Sequence, residues 1–283
     1  MPGQPWEAIS ERLLRIVSGP DEEISLAETS LLIAVLGNPD LSVPAYLSRL
    51  EQLADVLKSR VAEHHGVADR LGVLNQLLFK ELGFRPNAEN YYDPRNSYLN
   101  EVLDRRIGIP ITLCLIYMEL GRRINLPLQG VSFPGHFLVK CAVPDGIVVL
   151  DPYSGGISLS LADLQQRLRD ARGGEVSRSV VAQLLVAASN RHVIVRLLSN
   201  LKAIFLREKD FNRALMIVTW IVATVPELTP ELRDRGLIYQ ELQCFRAALA
   251  DFEQYLKRAP DSEDAADIRR RVIELRRETA RLN

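Results

Sequence analysis

The chain has 283 residues, of which 47% are hydrophobic and 25% charged, and this is enough apolar material for one or two packed domains. The net charge of −1 excludes a global positive field that would draw the protein to nucleic acid or to a membrane. The three cysteines are scattered and the first residues lack a secretory pattern, so we expect a cytoplasmic protein that uses no cofactor and no metal.

The first 85 residues predict four helices, because apolar residues recur at helical spacing in 7–17, 25–36, 42–64 and 67–82. The polar segment 85–96 contains two prolines and two tyrosines, and we interpret it as a loop that lines a cleft. Asn96 and Ser97 are predicted to cap a short helix over 98–106.

The segment from Pro110 to Ile124 predicts a buried helix, because Ile111 to Leu120 is apolar on every side and is broken mainly by Thr112 and Glu119. Pro110 suits the first helical position, where its missing N–H costs nothing. The segment is too short to span a bilayer, so we interpret it as the core of a soluble domain.

A short antiparallel sheet is predicted after this helix. Pro134-Gly135 is typical of a type II turn between strands 128–133 and 136–142, and residues 144–146 reverse the chain into strand 147–150. A four-residue second loop would place His136 directly opposite Asp151, and a two-residue loop would make the two residues diagonal neighbours on one face. Either register lets the imidazole reach the carboxylate, whereas a loop with an odd number of residues would separate them.

A further strand near 157–161 and a helix over 161–172 are predicted before Gly173-Gly174. The composition changes at 173–179, and we predict domains at 1–176 and 177–283.

The order of these motifs resembles the transglutaminase-like, or papain-like, superfamily: a helix start, Leu126-Pro127, Gly135-His136 and Asp151-Pro152. More narrowly, NSYLNEVLDRRIGIPITL, PGHFLV and DPYSGG resemble the bacterial SirB-type family, in which such a domain precedes tetratricopeptide repeats. The resemblance implies an α+β fold, mainly helical with a small antiparallel sheet, followed by an all-α repeat region.

The resemblance places the family's nucleophilic cysteine at Pro110, which has neither a thiol nor a backbone N–H for an oxyanion hole. Cys114 lies one helical turn further along among apolar residues, and we interpret it as a buried core thiol rather than a relocated nucleophile. His136 and Asp151 form either a structural pair or a retained polar site. Asn96, Asn100 and Thr112 are candidate ligand-binding residues, with turn and cap hydrogen bonds as the alternative role of the two asparagines.

The C-terminal part contains an internal repeat. Phe211, Ala214 and Pro226 recur as Phe245, Ala248 and Pro260, each 34 residues later, which is the period of a tetratricopeptide repeat. Gly236 fits the small-residue position of the first helix of such a repeat, whereas its counterpart in the preceding unit is Lys202. Flanking helices near 181–199 and 263–282 are predicted to complete the stack.

Three functions are compatible with these features. The first is a non-catalytic interaction or regulatory protein, in which the 180–283 repeats bind a protein or peptide. The second is an acyl-transfer hydrolase in which His136 and Asp151 serve as base and orienter, with Cys114 or water as nucleophile. The third is a regulator that contacts nucleic acid through the arginine-rich last helix. We favour the first and expect no nucleic-acid or membrane partner.

Overall fold

The computed structural model describes the backbone of residues 5–281 and the side chains of 8–171 and 173–280. The outer ends of the predicted domain ranges, residues 1–4 and 282–283, lie outside the described residues. The chain forms two compact units that divide between Leu197 and Leu198. This division lies within a helix, and the domain ranges proposed from composition stay a prediction.

The first unit begins with helices and then alternates short strands with helices. Its helices are α1 (Pro5–Ser18), α2 (Leu26–Ala34), α3 (Val43–Arg60), α4 (Val67–Asn75), α5 (Leu99–Arg105), α6 (Pro110–Arg123), α7 (Leu161–Arg172) and α8 (Arg178–Leu184). Its strands are β1 (Arg85–Pro86), β2 (Ile107–Gly108), β3 (Leu128–Val131), β4 (Leu138–Val143), β5 (Gly146–Asp151) and β6 (Ile157–Leu159). The α+β fold class predicted from the sequence is confirmed.

Several details of the first unit differ from the sequence-based expectation. The strands on either side of Pro134-Gly135 do not meet at the turn, because β3 ends at Val131 and β4 begins at Leu138. The fourth helix is α-helical only to Asn75 and continues as a π-helical turn, Gln76–Glu81, ending at Gly83 with φ of +73°. The helix predicted to start after an Asn96-Ser97 cap begins at Leu99, with Tyr98 as N-cap and no side-chain capping bond. The Asn96 amide is used within the loop instead: its Nδ2 donates to the carbonyl oxygens of Asn90 and Tyr91, and its Oδ1 accepts from Asn87 rather than from a free N–H of the helix.

The main sheet has the strand order β3-β4-β5-β6, with every neighbouring pair antiparallel. Val143 pairs with Gly146, so the β4–β5 loop has two residues and the shorter of the two predicted registers is the observed one. A core of apolar side chains joins one face of this sheet to α7 and α8: Val131, Phe133, Leu138, Val149, Leu164, Leu168 and Val181. The helix α7 has the bounds predicted from its periodicity.

Helix α6 is the buried helix that the sequence predicts. It packs against β3, β4 and the turn that follows β5, and eleven of its fourteen residues are buried. Pro110 occupies its first turn after Ile109 as N-cap, as expected for a residue whose φ is preset for a helix. Because α6 is central, whatever stands at its N-terminus is fixed in position.

Helix α9 (Asn190–Arg207) runs across the division between the units, and the second unit continues with α10 (Phe211–Thr224), α11 (Thr229–Glu241), α12 (Phe245–Arg258) and α13 (Ala265–Arg281). The repeated phenylalanines Phe211 and Phe245 each begin a helix, as the 34-residue offset predicts. Gly236 of α11 lies against α12, where an added methyl carbon would be 2.6 Å from the ring of Phe252. The tetratricopeptide-like packing of this unit therefore depends on a residue without a side chain.

We predict that Gly236→Ala destabilises the second unit by about 1–3 kcal/mol, because the methyl group must displace a fully buried ring. Gly72→Ala is the matched control, since Gly72 is also helical but has nothing within 4 Å of the added carbon. That control should stabilise by roughly 0.5–1 kcal/mol through backbone entropy alone. Urea unfolding followed by circular dichroism measures both changes, and equal effects at the two positions would contradict the packing role of Gly236.

Candidate active site

The N-terminus of α6 carries Pro110, the position at which the resemblance to the transglutaminase-like superfamily implies a nucleophile. Pro110 is buried and supplies no thiol and no N–H. The first turn is held by Thr112, whose hydroxyl accepts from the Ile109 N–H at 3.1 Å and donates to the Asn96 carbonyl oxygen at 2.9 Å. Thr112 therefore satisfies hydrogen-bonding groups at the start of α6, and Pro110 has no side-chain group that could accept an acyl group.

Cys114 lies deeper on the same helix and is fully buried. Its thiol donates to the carbonyl oxygen of Phe137 at 3.3 Å. Burial, and secondarily the negative charge of Asp151, raise the pKa of the Cys114 thiol well above its usual value. A group that stays protonated and hydrogen-bonded in the core is a poor nucleophile, because the thiolate is the reactive form.

His136 is positioned by the turn that the sequence predicts. Its N–H donates to the Phe133 carbonyl oxygen at 3.0 Å, and Gly135 has φ of +71°, as a type II turn requires. Its side chain is 16% exposed, and its Nε2 lies 2.9 Å from Oδ1 of Asp151. The predicted contact between the imidazole and the carboxylate is thus present, although β4 begins only at Leu138.

Asp151 is fully buried and is hydrogen-bonded at both oxygens. Besides His136, Oδ1 accepts from the Tyr153 N–H at 3.1 Å, while Oδ2 accepts from the Ser154 hydroxyl at 2.8 Å and Arg167 Nη2 at 2.7 Å. Burial alone would raise the pKa of Asp151, but His136, Ser154 and Arg167 outweigh it and lower that pKa to about 2. Asp151 is therefore a carboxylate at any physiological pH.

Arg167 is the principal residue of this site that the sequence analysis missed. It lies on α7, three residues after the buried Leu164 and next to the buried Leu168, and its guanidinium reaches Asp151 from there. The sequence did contain a signal for this contact, because Arg167 is a cation on the same face of α7 as Leu164 and Leu168, which pack on the sheet. In a catalytic triad the negative charge of the aspartate stabilises the imidazolium of the histidine. Here Arg167 compensates part of that charge on Asp151.

One tyrosine borders His136. The ring of Tyr153 stands edge-on to the imidazole with 5.6 Å between centroids. Burial is the main cause that raises the pKa of the Tyr153 phenol, and the nearby Tyr91 of the 85–96 loop raises it further. The loop predicted to line the cleft thus comes near Tyr153.

The candidate ligand-binding residues are all buried. The Asn96 side chain is bonded to the loop backbone and to Asn87, and Thr112 is used at the start of α6, as described above. Asn100 is 1% exposed, and its Oδ1 has no hydrogen-bond partner among residues 5–281. The ligand-binding role of Asn96, Asn100 and Thr112 stays a prediction, as do catalytic roles for His136, Asp151 and Cys114.

Across residues 5–281, the helices include none with the length and apolar character that crossing a membrane requires. Within the same range, histidine, cysteine and acidic side chains form no group of three or more that could hold a metal ion.

Comparison with protein families divides the chain at a similar place to its compact units. Residues 44–199 match the transglutaminase-like superfamily, and residues 201–272 match the tetratricopeptide repeat. The matches cover the sheet with its His136–Asp151 pair and the repeated helices, respectively.

Several bacterial proteins are similar to most of the chain. The UPF0162 protein of Xylella fastidiosa strain Temecula1 is 40% identical over 259 residues, which are 91% of this chain and 92% of that protein. UPF0162 protein YchA of Escherichia coli K12 is 30% identical over 226 residues, covering 79% and 82%. The UPF0162 protein of Vibrio cholerae is 29% identical over 261 residues, covering 92% and 96%. No solved structure matches the chain with significance.

The lowered pKa of the buried Asp151 carboxylate predicts how the stability of the fold depends on pH. The folded pKa of Asp151, about 2, lies below its ordinary value of 3.8, so its charge contributes stability above pH 4 that is lost as pH falls toward 2. The contribution is on the order of 2 kcal/mol at neutral pH. Asp151→Asn should therefore destabilise the protein at pH 7, and its deficit relative to the unaltered protein should shrink between pH 4 and pH 2.

Asp145→Asn is the control, because Asp145 is an exposed residue in the β4–β5 turn. Thermal unfolding at intervals from pH 7 to pH 2 measures the three proteins side by side. A deficit for Asp151→Asn that stays constant over this range would show that the charge of Asp151 is not what stabilises the site.

Proposed function

We propose, for a chain that belongs to the UPF0162 family within the transglutaminase-like superfamily, that it is a non-catalytic protein-interaction or regulatory protein. In this proposal the domain keeps the His–Asp pair of its superfamily for structure, and the helical repeats bind a protein or peptide partner. The observation that carries the proposal is Pro110 in the first turn of α6, where a nucleophilic cysteine would have to stand.

None of the three cysteines of the chain is placed to replace a nucleophile at position 110. The Cys114 thiol is buried and engaged with Phe137, and Cys141 is buried in β4 with a pKa raised by desolvation. Cys244 is exposed, but it belongs to the second unit as the N-cap residue of α12. A loss of the nucleophile costs on the order of a million-fold in turnover in enzymes of this chemistry.

The surroundings of Asp151 support a structural role for the pair. Its carboxylate joins the turn before β4, the turn after β5 and the helix α7, so His136 is one of several groups that it fixes. A carboxylate that already faces an arginine has less negative potential to offer an imidazolium formed during catalysis.

The second candidate function is an acyl-transfer hydrolase that uses water in place of a thiol. The 2.9 Å contact between Nε2 and Asp151 favours it, because this contact fixes the ring orientation that a general base needs. Nδ1 of His136 has no hydrogen-bond partner in the part of the chain that the structure describes, so it is the nitrogen that would take the proton of water.

The repeat region supports the binding half of the proposal. Tetratricopeptide repeats stack helix pairs into surfaces that bind peptides and proteins, and residues 201–272 match this repeat. The SirB-type resemblance of 96–113, 134–139 and 151–156 supports the same pairing of a transglutaminase-like domain with repeats. The proposed location is the cytoplasm, where an exposed thiol such as Cys244 stays reduced.

Thiol labelling tests the role of Cys114 with controls inside the same chain. In the folded protein, iodoacetamide should label Cys244 and leave Cys114 and Cys141 unmodified, because only Cys244 is exposed. All three should react after denaturation, and peptide mass spectrometry reports each site separately.

The hydrolase alternatives predict other results. Labelling of Cys114 in the folded protein at a rate comparable to Cys244, abolished by His136→Gln without unfolding, would establish a relocated nucleophile. Hydrolysis of fluorogenic amide or thioester substrates that His136→Gln removes, with Cys114→Ser unaffected, would establish the water mechanism. Either result would overturn the non-catalytic proposal.

A photo-cross-linking amino acid tests the binding half in the full-length chain. Gln240 lies on α11, a helix of the region that matches the repeat, and is only partly buried, so a cross-linker there reports on the repeats. We predict a discrete cross-linked partner from position 240 in cells and none from position 63, where Glu63 is an exposed residue between α3 and α4 of the first unit. Equal product patterns from both positions would argue against binding by the repeats.

A further inference from the structure

The first unit contains an apolar groove that is unrelated to the His136–Asp151 pair. It has a volume of about 610 Å³ and lies between the β4–β5–β6 part of the sheet, the helices α7 and α8, and residues 185–187. Ten of its twelve lining residues are apolar and the other two are Lys140 and Arg178. Ligand sites and docking grooves commonly have this composition, with an apolar floor and a few polar groups.

Large apolar side chains at this groove face solvent. Ile147 is 52% exposed, Val186 is 69% exposed and Leu161 is 39% exposed. Single exposed apolar residues need no explanation, but here they share one concavity. The groove continues the core that α7 and α8 form on the sheet, since Val149, Leu164 and Val181 belong to both.

The charge of the groove favours a negative ligand. Lys140 and Arg178 are its two charged lining residues, and it has no acidic one. The Lys140 ammonium donates to the Leu185 carbonyl oxygen at 2.9 Å, whereas the exposed Arg178 guanidinium has no hydrogen-bond or ion-pair partner among the residues described. An acidic side chain on a ligand would find its counter-charge at Arg178.

The order of the strands indicates whether a peptide ligand would bind as an extended strand or as a helix. Three of the groove's lining residues, Lys140, Ile147 and Val149, lie on β4 and β5, which are interior strands paired on both sides, and only Leu159 lies on the edge strand β6. An extended peptide lying over β4 and β5 would therefore gain no ladder hydrogen bonds from them. An α-helix satisfies its own backbone and presents an apolar stripe, which is what a floor of side chains can receive.

We propose that this groove binds an amphipathic helix of another protein, with apolar residues at i, i+3 or i+4, and i+7 on the Ile147–Val186 floor and an acidic residue facing Arg178. The proposal is independent of the proposed function, because it concerns the sheet-containing unit and uses neither the repeats nor the His–Asp pair.

The experiment selects from a displayed library of helix-forming 16-residue peptides with the full-length protein, after depletion on the Ile147→Glu variant. Enriched sequences should carry apolar residues at helical spacing together with acidic residues. The affinity of one enriched peptide is then measured by fluorescence anisotropy. Ile147→Glu and Val186→Glu should each weaken binding at least tenfold, because a charge would enter the apolar floor.

Ile273→Glu is the matched control, since Ile273 is 53% exposed but lies on α13 of the other unit, and it should leave binding unchanged. Arg178→Glu should weaken the acidic peptide about threefold, as expected for an exposed charge pair, and a peptide with lysine in place of its acidic residues should regain that loss. Circular dichroism of each variant controls for folding.

Several outcomes would overturn the proposal. One is an absence of enriched peptides, and another is enrichment of sequences without helical spacing or without acidic residues. Equal affinity of the Ile273→Glu and Ile147→Glu variants would show that the groove is not the binding site. Saturable binding of dodecanoate in place of peptide would assign the groove to an acyl chain, and a dimer dissociated by Ile147→Glu in sedimentation would assign it to a second copy.

Discussion

The charge of Asp151 is the constraint on which the first unit depends. A carboxylate taken wholly out of water is costly unless donors and counter-charges replace its hydration. Here the donors come from three places: His136 before β4, Tyr153 and Ser154 after β5, and Arg167 on α7. The same group therefore fixes the open end of the β4–β5 hairpin, where β4 begins and β5 ends, and adds a polar contact with α7 to the apolar packing of that helix.

This constraint supports the proposed non-catalytic role, because it would keep the His–Asp pair in place without a nucleophile. A pair that served catalysis alone would be free to vary once a nucleophile was lost. Because Asp151 also accepts hydrogen bonds from Ser154 and Arg167, removing it would leave the Arg167 cation without its carboxylate and would loosen two turns. In the proposal, Pro110 removes the chemical demand on Asp151 and leaves the architectural one.

The sequence predicted those parts of the fold that local patterns determine. The apolar run of α6, the turn at Gly135 and the amphipathic period of α7 each involve few residues, and the structure confirms them. The contact between His136 and Asp151 was predicted from a hairpin register, but His136 lies in the turn before β4, so the contact depends on that turn as well as on the two-residue β4–β5 loop. Arg167 was not predicted, because its approach to Asp151 depends on how α7 docks across the sheet.

The misassigned cap and the unpredicted π-helical turn have a similar cause. Asn96 has an amide that can serve a helix end or a loop, and the fold of 87–91 decides between them. The π-helical residues 76–81 insert one extra residue per turn into a pattern that is otherwise α-helical. In both places tertiary contacts select among local conformations of similar energy.

In the repeat region, the same position is used in two different ways. In the second of the two repeats, Gly236 lets Phe252 pack directly on the backbone of α11. Its counterpart Lys202 is 12% exposed, and its ammonium contacts Glu231 at 2.6 Å and Asp234 at 2.7 Å. The first helix pair is thus joined to the next by a shielded charge cluster where the repeat pattern expects close packing. A degenerate position in a repeat can therefore still carry an inter-helix contact, and its departure from the pattern identifies where that contact is polar rather than apolar.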